Sequence, residues 1–118
     1  MKVERISAVT IKVSDMRSSV RFYRDVLGLR VIFGGEEASF SSLCMGDEMN
    51  AILNLEQGKP VSAGGRVIFY VDDVDGCWAY LKEKGFEPEK PQDAAWGERY
   101  FHIHDPDGHG LSFARPLE

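Results

Sequence analysis

At 118 residues the chain has the length of one domain, enough to bury a sizeable core. Apolar residues at 43% and charged residues at 28% are ordinary for a globular protein and exclude a disordered composition. A formal net charge of −5 argues against duplex binding, which needs a basic face.

The opening MKVERISAVTIKV has no apolar core region and no small-residue cleavage site, so a cytoplasmic location is expected. No apolar run approaches the ~20 residues of a membrane span. Arg5 to Val13 alternates, with Val9, Ile11 and Val13 on one face and Ala8, Thr10 and Lys12 on the other, which is a half-buried strand. Ser14-Asp15 offers a helix cap. Met16, Val20, Tyr23 and Leu27 then form a helical stripe, and Gly28 is placed to end it in a left-handed turn. Arg17, Arg21, Arg24 and Arg30 read as a solvated helix face. Strands are expected over Leu29–Phe33, Ala38–Met45 and Met49–Leu55, with a break at Gly34-Gly35 and a turn at Gly46-Asp47.

Glu56 to Gly65 is rich in turn formers, so 58–65 is read as a linker between halves 1–57 and 66–118 of a single domain, 1–118. The pattern then restarts. Arg66–Val71 is a strand with Val67, Phe69 and Val71 on one face, and Asp72-Asp73 a second cap. Val74, Trp78 and Leu81 form a second stripe, which Gly85 ends. Phe86–Glu89 is expected as a short edge strand, limited by Pro88 and Pro91, with Pro91–Gly97 as a loop. Arg99–His104 and Gly110–Arg115 form a closing hairpin around Asp105-Pro106-Asp107-Gly108, whose residue types specify a type I turn.

The repeat is the strongest organisational signal. Ile11, Val13 and Asp15 match Phe69, Val71 and Asp73 at an offset of 58, and Gly28 matches Gly85 at 57. Two strand–helix units with the same punctuation imply an α+β fold of two βαβββ modules. Cys44 and Cys77 lack CxxC spacing and a nearby histidine partner, so two reduced, buried thiols are expected.

VSDMRSSVRFYRDVLGL resembles the strand-to-helix opening of the vicinal oxygen chelate superfamily, the glyoxalase, bleomycin-resistance and extradiol dioxygenase group. WGERYFHIHDPDGHGLSF resembles its closing hairpin, and the likeness spans nearly the whole chain. The resemblance implies two βαβββ modules whose curved mixed sheets surround a cavity, commonly in a homodimer. In the metal-using members, four side chains from the first and last strands of the two halves hold a divalent ion that acts as a Lewis acid. Those positions fall on Ala8, near Asn54, on Arg66 and on Ser112. Alanine has no donor atom, arginine repels a cation, and serine and asparagine are weak ligands, so neither a metal nor another cofactor is expected. A shift of one residue would only move each position to the helix-packed face.

Alternation assigns Thr10, Asn54, Arg66, Tyr70, Tyr100, His102, His104 and Ser112 to the cavity face, with Lys12, Ile52 and Ile68 beside them. Trp96, in the loop before the closing hairpin, either stacks on a ligand or packs over the mouth of the cavity. Trp78 is read as core. His102 and His104, two apart on a strand, can share a metal, with His109, Asp105 and Asp107 nearby. They are also polar cavity or surface residues by the simpler reading, with His109 as a turn-exit residue. Arg66 can grip a carboxylate or phosphate, or pair structurally with Glu56 or Glu98; the pairing is slightly favoured.

The favoured reading is a metal-free small-molecule-binding protein that sequesters an aromatic or antibiotic-like ligand, with no nucleic-acid or membrane partner. The alternative is a glyoxalase-, lyase- or isomerase-type enzyme using His102 or His104 as acid–base group and Arg66 as electrophile. A structural or regulatory module is the third reading. No catalytic residue is assigned, since no GxSxG, phosphate loop or HExxH is present and nothing local marks a Ser–His–Asp set.

Overall fold

A computed structural model describes residues 1–46, 51–61 and 65–118. The chain divides into two compact units, Met1–Val61 and Ser62–Glu118. The first contains β1 (Ala8–Val13), α1 (Met16–Arg21) continued by a π-helical turn (Phe22–Val26), β2 (Arg30–Phe33), β3 (Phe40–Cys44) and β4 (Ile52–Gln57). The second contains β5 (Arg66–Tyr70), α2 (Val74–Glu83), β6 (Gln92–Asp93), β7 (Glu98–His104) and β8 (Gly110–Pro116). Each is a βαβββ module with a four-stranded mixed sheet, ordered β1-β4-β3-β2 and β5-β8-β7-β6. The first strand of each lies parallel to the last, and the remaining pairs are antiparallel. No helix among the described residues is long and apolar enough to cross a membrane.

The caps follow from the aspartates. Asp15 accepts from the Arg17 backbone N–H at 3.2 Å and Asp73 from that of Gly76 at 3.0 Å. Met16, Val20 and Tyr23 are buried as the stripe requires, while Leu27 is only half-buried. The sequence did not signal the π turn. Leu27 N–H reaches the Phe22 carbonyl five residues back, at 3.1 Å. The wider turn also buries Phe22, whose ring meets Tyr23 edge-on at 5.1 Å. It absorbs the odd residue in the repeat, the step from offset 58 at the caps to 57 at Gly28 and Gly85. Both glycines are left-handed, with φ of 82° and 96°.

In the second unit Phe113 stacks between Phe69 and Phe101, at centroid distances of 5.6 and 5.3 Å. Ile103, Leu111, Val74 and Leu81 complete that core. Each such side chain contributes roughly 1.5–3 kcal/mol of burial. Trp78 is half-buried rather than core, and its indole N–H reaches the Pro88 carbonyl at 3.3 Å. Cys44 is buried; Cys77 is half-buried, and desolvation pushes its thiol up to about 11.

Several boundaries move. Phe86–Glu89 is not a strand. Pro88 and Pro91 have no N–H to give, so that segment makes one ladder-like bond, Glu89 N–H to the His102 carbonyl at 3.0 Å. Pairing starts just past Pro91, inside the predicted loop, where Gln92 faces Tyr100 and Asp93 faces Arg99. Glu56 and Gln57 belong to β4, because they pair with Lys12 and Val13. The predicted start of β4 at Met49, Asp47 of the predicted turn, and residues 62–64 of the linker lie outside the described residues. The closing turn forms as read, with Gly108 N–H on the Asp105 carbonyl at 2.9 Å. The Asp105 carboxylate accepts from the Asp107 and His109 backbone N–H groups at 3.0 and 2.8 Å.

Candidate functional site

Strand register decides which side chains share a face. In the second unit, β5, β8 and β7 align in three rows: Arg66–Gly110–His104, Ile68–Ser112–His102 and Tyr70–Ala114–Tyr100. The alternate residues Phe69, Leu111, Phe113, Phe101 and Ile103 are buried in the core, so these rows form the opposite face. Ile68 and Tyr70 are 60% and 64% exposed, which leaves an apolar and aromatic surface uncovered within the unit.

An aromatic row runs along β7. The Trp96 ring stacks on Tyr100 at 5.5 Å, and Tyr100 tilts against the His102 imidazole at 5.0 Å. Glu98 anchors one end. It accepts from the Trp96 indole N–H at 3.0 Å and from the Tyr70 hydroxyl. That carboxylate raises the Tyr70 pKa above its ordinary value, chiefly through the hydrogen bond, and keeps the phenol protonated.

A polar knot forms the other end. Arg66 Nη1 donates to the Leu111 carbonyl at 3.1 Å and to Ser112 Oγ at 3.2 Å, and lies 3.1 Å from His102 Nδ1. Ser112 Oγ stands 2.7 Å from the same Nδ1. An imidazole nitrogen facing a guanidinium donor holds a lone pair, which assigns His102 as the neutral tautomer protonated at Nε2. Desolvation first, then the charge of Arg66, lowers its pKa below the usual histidine value. Ser112 is buried, His102 half-buried and Arg66 exposed.

Seven of the nine expected site residues thus stand in the second unit, and Arg66, Tyr70, Trp96, Tyr100, His102 and Ser112 form two linked clusters on one face. His104 shares that face but sits exposed at the strand end. Thr10 and Asn54 stand in the first unit, where Asn54 donates to Thr10 Oγ1 at 3.3 Å and accepts from Ser42 Oγ at 2.6 Å. Arg66 does not pair with Glu98, one of the two partners slightly favoured from sequence. Glu56 binds Lys12 at 3.0 Å, and Glu98 is held by Tyr70 and Trp96. Sequence reading missed Ser42 and Gly110, and named Glu98 only as a partner for Arg66. Alternation signals Glu98 as a face residue, since it lies two before Tyr100, whereas only the strand register sets Ser42 opposite Asn54.

His102 and His104 gather no third ligand among the described residues. His109 is buried, Asp105 is occupied by the turn's backbone, and among the described residues no three His, Cys, Asp or Glu side chains gather to hold an ion. A cleft of about 310 Å³ lies elsewhere in this unit, at the start of α2. Several of its polar groups are already used: Asp73 caps α2, Asp75 binds Arg99 at 2.9 Å and Arg115 reaches the Val71 carbonyl. The exposed face of β5, β7 and β8 is therefore the better candidate.

The sequence profile of the Glyoxalase/Bleomycin resistance protein/Dioxygenase superfamily matches residues 5–113. The chain belongs to that superfamily. A relative from Bacillus subtilis (strain 168), the uncharacterized protein YraH, is 29% identical over 117 residues, covering 87% of this chain and 91% of its own. Among solved structures, TnmS3, an antibiotic binding protein from Streptomyces sp. CB03234, superposes with a TM-score of 0.84 at 23% identity, over 98% of both chains. A lactoylglutathione lyase from Agrobacterium tumefaciens superposes with a TM-score of 0.79 at 20% identity, over 96% of this chain and 94% of the other. At those identities the two structures show the shared fold.

The four positions carried over from the superfamily's metal-using members do not fit a divalent ion. Ala8 offers no donor atom, and Asn54 Oδ1 already accepts from Ser42. Arg66 brings a fixed positive charge, and its Nη1 rests against the hydroxyl of Ser112.

Proposed function

We propose that this superfamily member binds a small molecule without a metal, sequestering an aromatic or antibiotic-like ligand. The observation that carries this reading is the row Trp96, Tyr100 and His102, stacked along β7 on an exposed face, with hydrogen-bonding groups at both ends. Aromatic side chains with a few placed polar groups are how small-molecule sites are built. Sequestration needs contact area and orientation and no reactive group, which agrees with the poor metal donor set. The likeness to an antibiotic binding protein supports the reading at the level of the fold. In this proposal the two units act as one domain, two copies form a homodimer enclosing the cavity, and the protein works in the cytoplasm with neither nucleic acid nor membrane as partner.

Titration of a library of planar aromatic compounds against tryptophan fluorescence tests it. Saturable quenching by some members is expected, because Trp96 is 69% exposed. A flat response across the library counts against the proposal.

A second reading is favoured by one observation. His102 is a neutral imidazole 2.7 Å from a buried serine hydroxyl, the form a general base requires. Under this reading the chain is a glyoxalase-, lyase- or isomerase-type enzyme. Turnover of a bound compound that disappears in His102→Ala and persists in His104→Ala would favour it over sequestration.

A further inference from the structure

We infer that Arg66 is an anion anchor and that the ligand carries a carboxylate or phosphate group beside its aromatic body; this rests on the small-molecule-binding reading above. The three contacts of Arg66 all run through Nη1, to the Leu111 carbonyl, Ser112 Oγ and His102 Nδ1. Nε and Nη2, the paired edge that grips an oxyanion with two parallel hydrogen bonds, have no partner among the described residues. One corner of the fork is therefore fixed while its binding edge is left open.

Gly110 gives that posture room. A Cβ there would come within 3.3 Å of Arg66 Cζ and 3.4 Å of both Nη1 and Nη2. Three nearly equal distances mean that the guanidinium lies face-down across the glycine. The neighbouring strand offers it a flat bed, and any side chain at 110 would lift it.

Charge balance points the same way. Arg17, Arg21, Arg24 and Arg99 each meet a carboxylate, while Arg30 and Arg115 reach the Gly46 and Val71 carbonyls. Arg66 meets no carboxylate among the described residues, and its neighbour His102 is held as an acceptor. Glu98 is spent at the far end of β7, and Glu89 acts on His102 only as a distant charge. One unneutralised cation thus stands at the end of an aromatic row. The formal net charge of −5 does not reverse this preference. Exposed charges beyond about 8–10 Å are screened by salt, whereas a two-bond contact to a guanidinium is direct. His102 Nε2–H, also without a partner among the described residues, is a further donor beside the row.

The test is a titration of the full chain, read by tryptophan fluorescence, with 2-naphthoate, 2-naphthyl phosphate and 2-naphthamide. At least one anion is expected to bind about tenfold or more tightly than the neutral amide, a step of about 1.4 kcal/mol. Whichever anion is preferred names the group. Arg66→Gln removes the preference, and Arg66→Lys, with charge but no fork, restores only part of it. Equal affinity for all three probes, or an Arg66→Gln variant that keeps the anion preference, overturns the anchor and leaves small-molecule binding standing. Failure of all three probes together with a flat response to the wider aromatic library overturns both.

Discussion

The two units share one topology and one register, so they can be compared row by row, at an offset of 60 between β3 and β7 and of 58 between their first and last strands. Where the first unit has Ala8–Ile52–Cys44, the second has Arg66–Gly110–His104. Where the first has Thr10–Asn54–Ser42, the second has Ile68–Ser112–His102. The first unit closes its polar row on itself through hydrogen bonds among neutral side chains. The second carries an open guanidinium, a neutral imidazole and a row of rings. Equal scaffolds with unequal faces show that the fold leaves these positions free to vary.

The largest effects are expected in the shared core. Phe113 and Leu55 occupy the same place at the offset of 58. Phe113→Ala should cost about 3–5 kcal/mol and Leu55→Ala about 2–5 kcal/mol in denaturant unfolding. A cost below 1 kcal/mol at either site would show that the two cores are not equivalent.

The helices differ next. Ser19 and Cys77 both sit four residues after the capping aspartate, and their N–H groups bond its carbonyl at 3.0 and 2.9 Å. The Ser19 hydroxyl is buried with no partner among the described residues, whereas a thiol tolerates such a site. Ser19→Ala should therefore stabilise the protein by about 1 kcal/mol, since an unsatisfied buried hydroxyl costs about 1–3 kcal/mol. Destabilisation on unfolding would mean that the hydroxyl has a partner. The π turn provides a second contrast. The closing bonds Leu29 N–H to Tyr23 and Gly28 N–H to Arg24 each reach one residue further back than their counterparts, Phe86 to Leu81 and Gly85 to Lys82. Deleting Asp25 should give the first helix the length of the second, with a cost within the ~0.5–3 kcal/mol of an ordinary substitution. Loss of cooperative folding would contradict that equivalence.

The smallest expected effects are electrostatic. His102 has a depressed folded-state pKa, so the unfolded chain takes up its proton first as pH falls. Its contribution is nil above about 6.5, the ordinary histidine value. Stability is lost as pH drops from there toward the folded pKa. The neighbouring charges are Arg66 and His104, which lower the pKa, and Glu89, which raises it. In an NMR titration Arg66→Gln should raise the His102 pKa; an unchanged value would remove Arg66 as a cause. On the first helix, Arg17, Arg21 and Arg24 meet Glu36, Glu37 and Asp25 at the surface. Arg21→Ala should produce a slight fall in melting temperature that added salt abolishes.

Most of the fold was legible because its signals are local. Period-two strands, aspartate caps and paired glycines survive in any context. The π turn was not, since its only trace was a one-residue mismatch between offsets, which a loop absorbs as easily. The edge strand at Gln92–Asp93 was hidden because prolines were read as ending a strand rather than as delaying one. Alternation puts Thr10 and Asn54 on one face of the first sheet, and Tyr100, His102 and Ser112 on one face of the second, as the register has them. Hydrogen-bond partners depend on register between distant strands, so Arg66 on Leu111 and Ser112, and Glu98 under Tyr70 and Trp96, required the structure.

The central claim is that the exposed face of β5, β7 and β8 is where a ligand binds. Backbone and indole NMR spectra recorded while 2-naphthoate is added test it most directly. Shifts concentrated at the Trp96 indole N–H, Tyr100, His102 and Ser112 are the expected result. Shifts confined to Asp72–Asp75 and Arg115–Glu118, around the cleft at the start of α2, would contradict it.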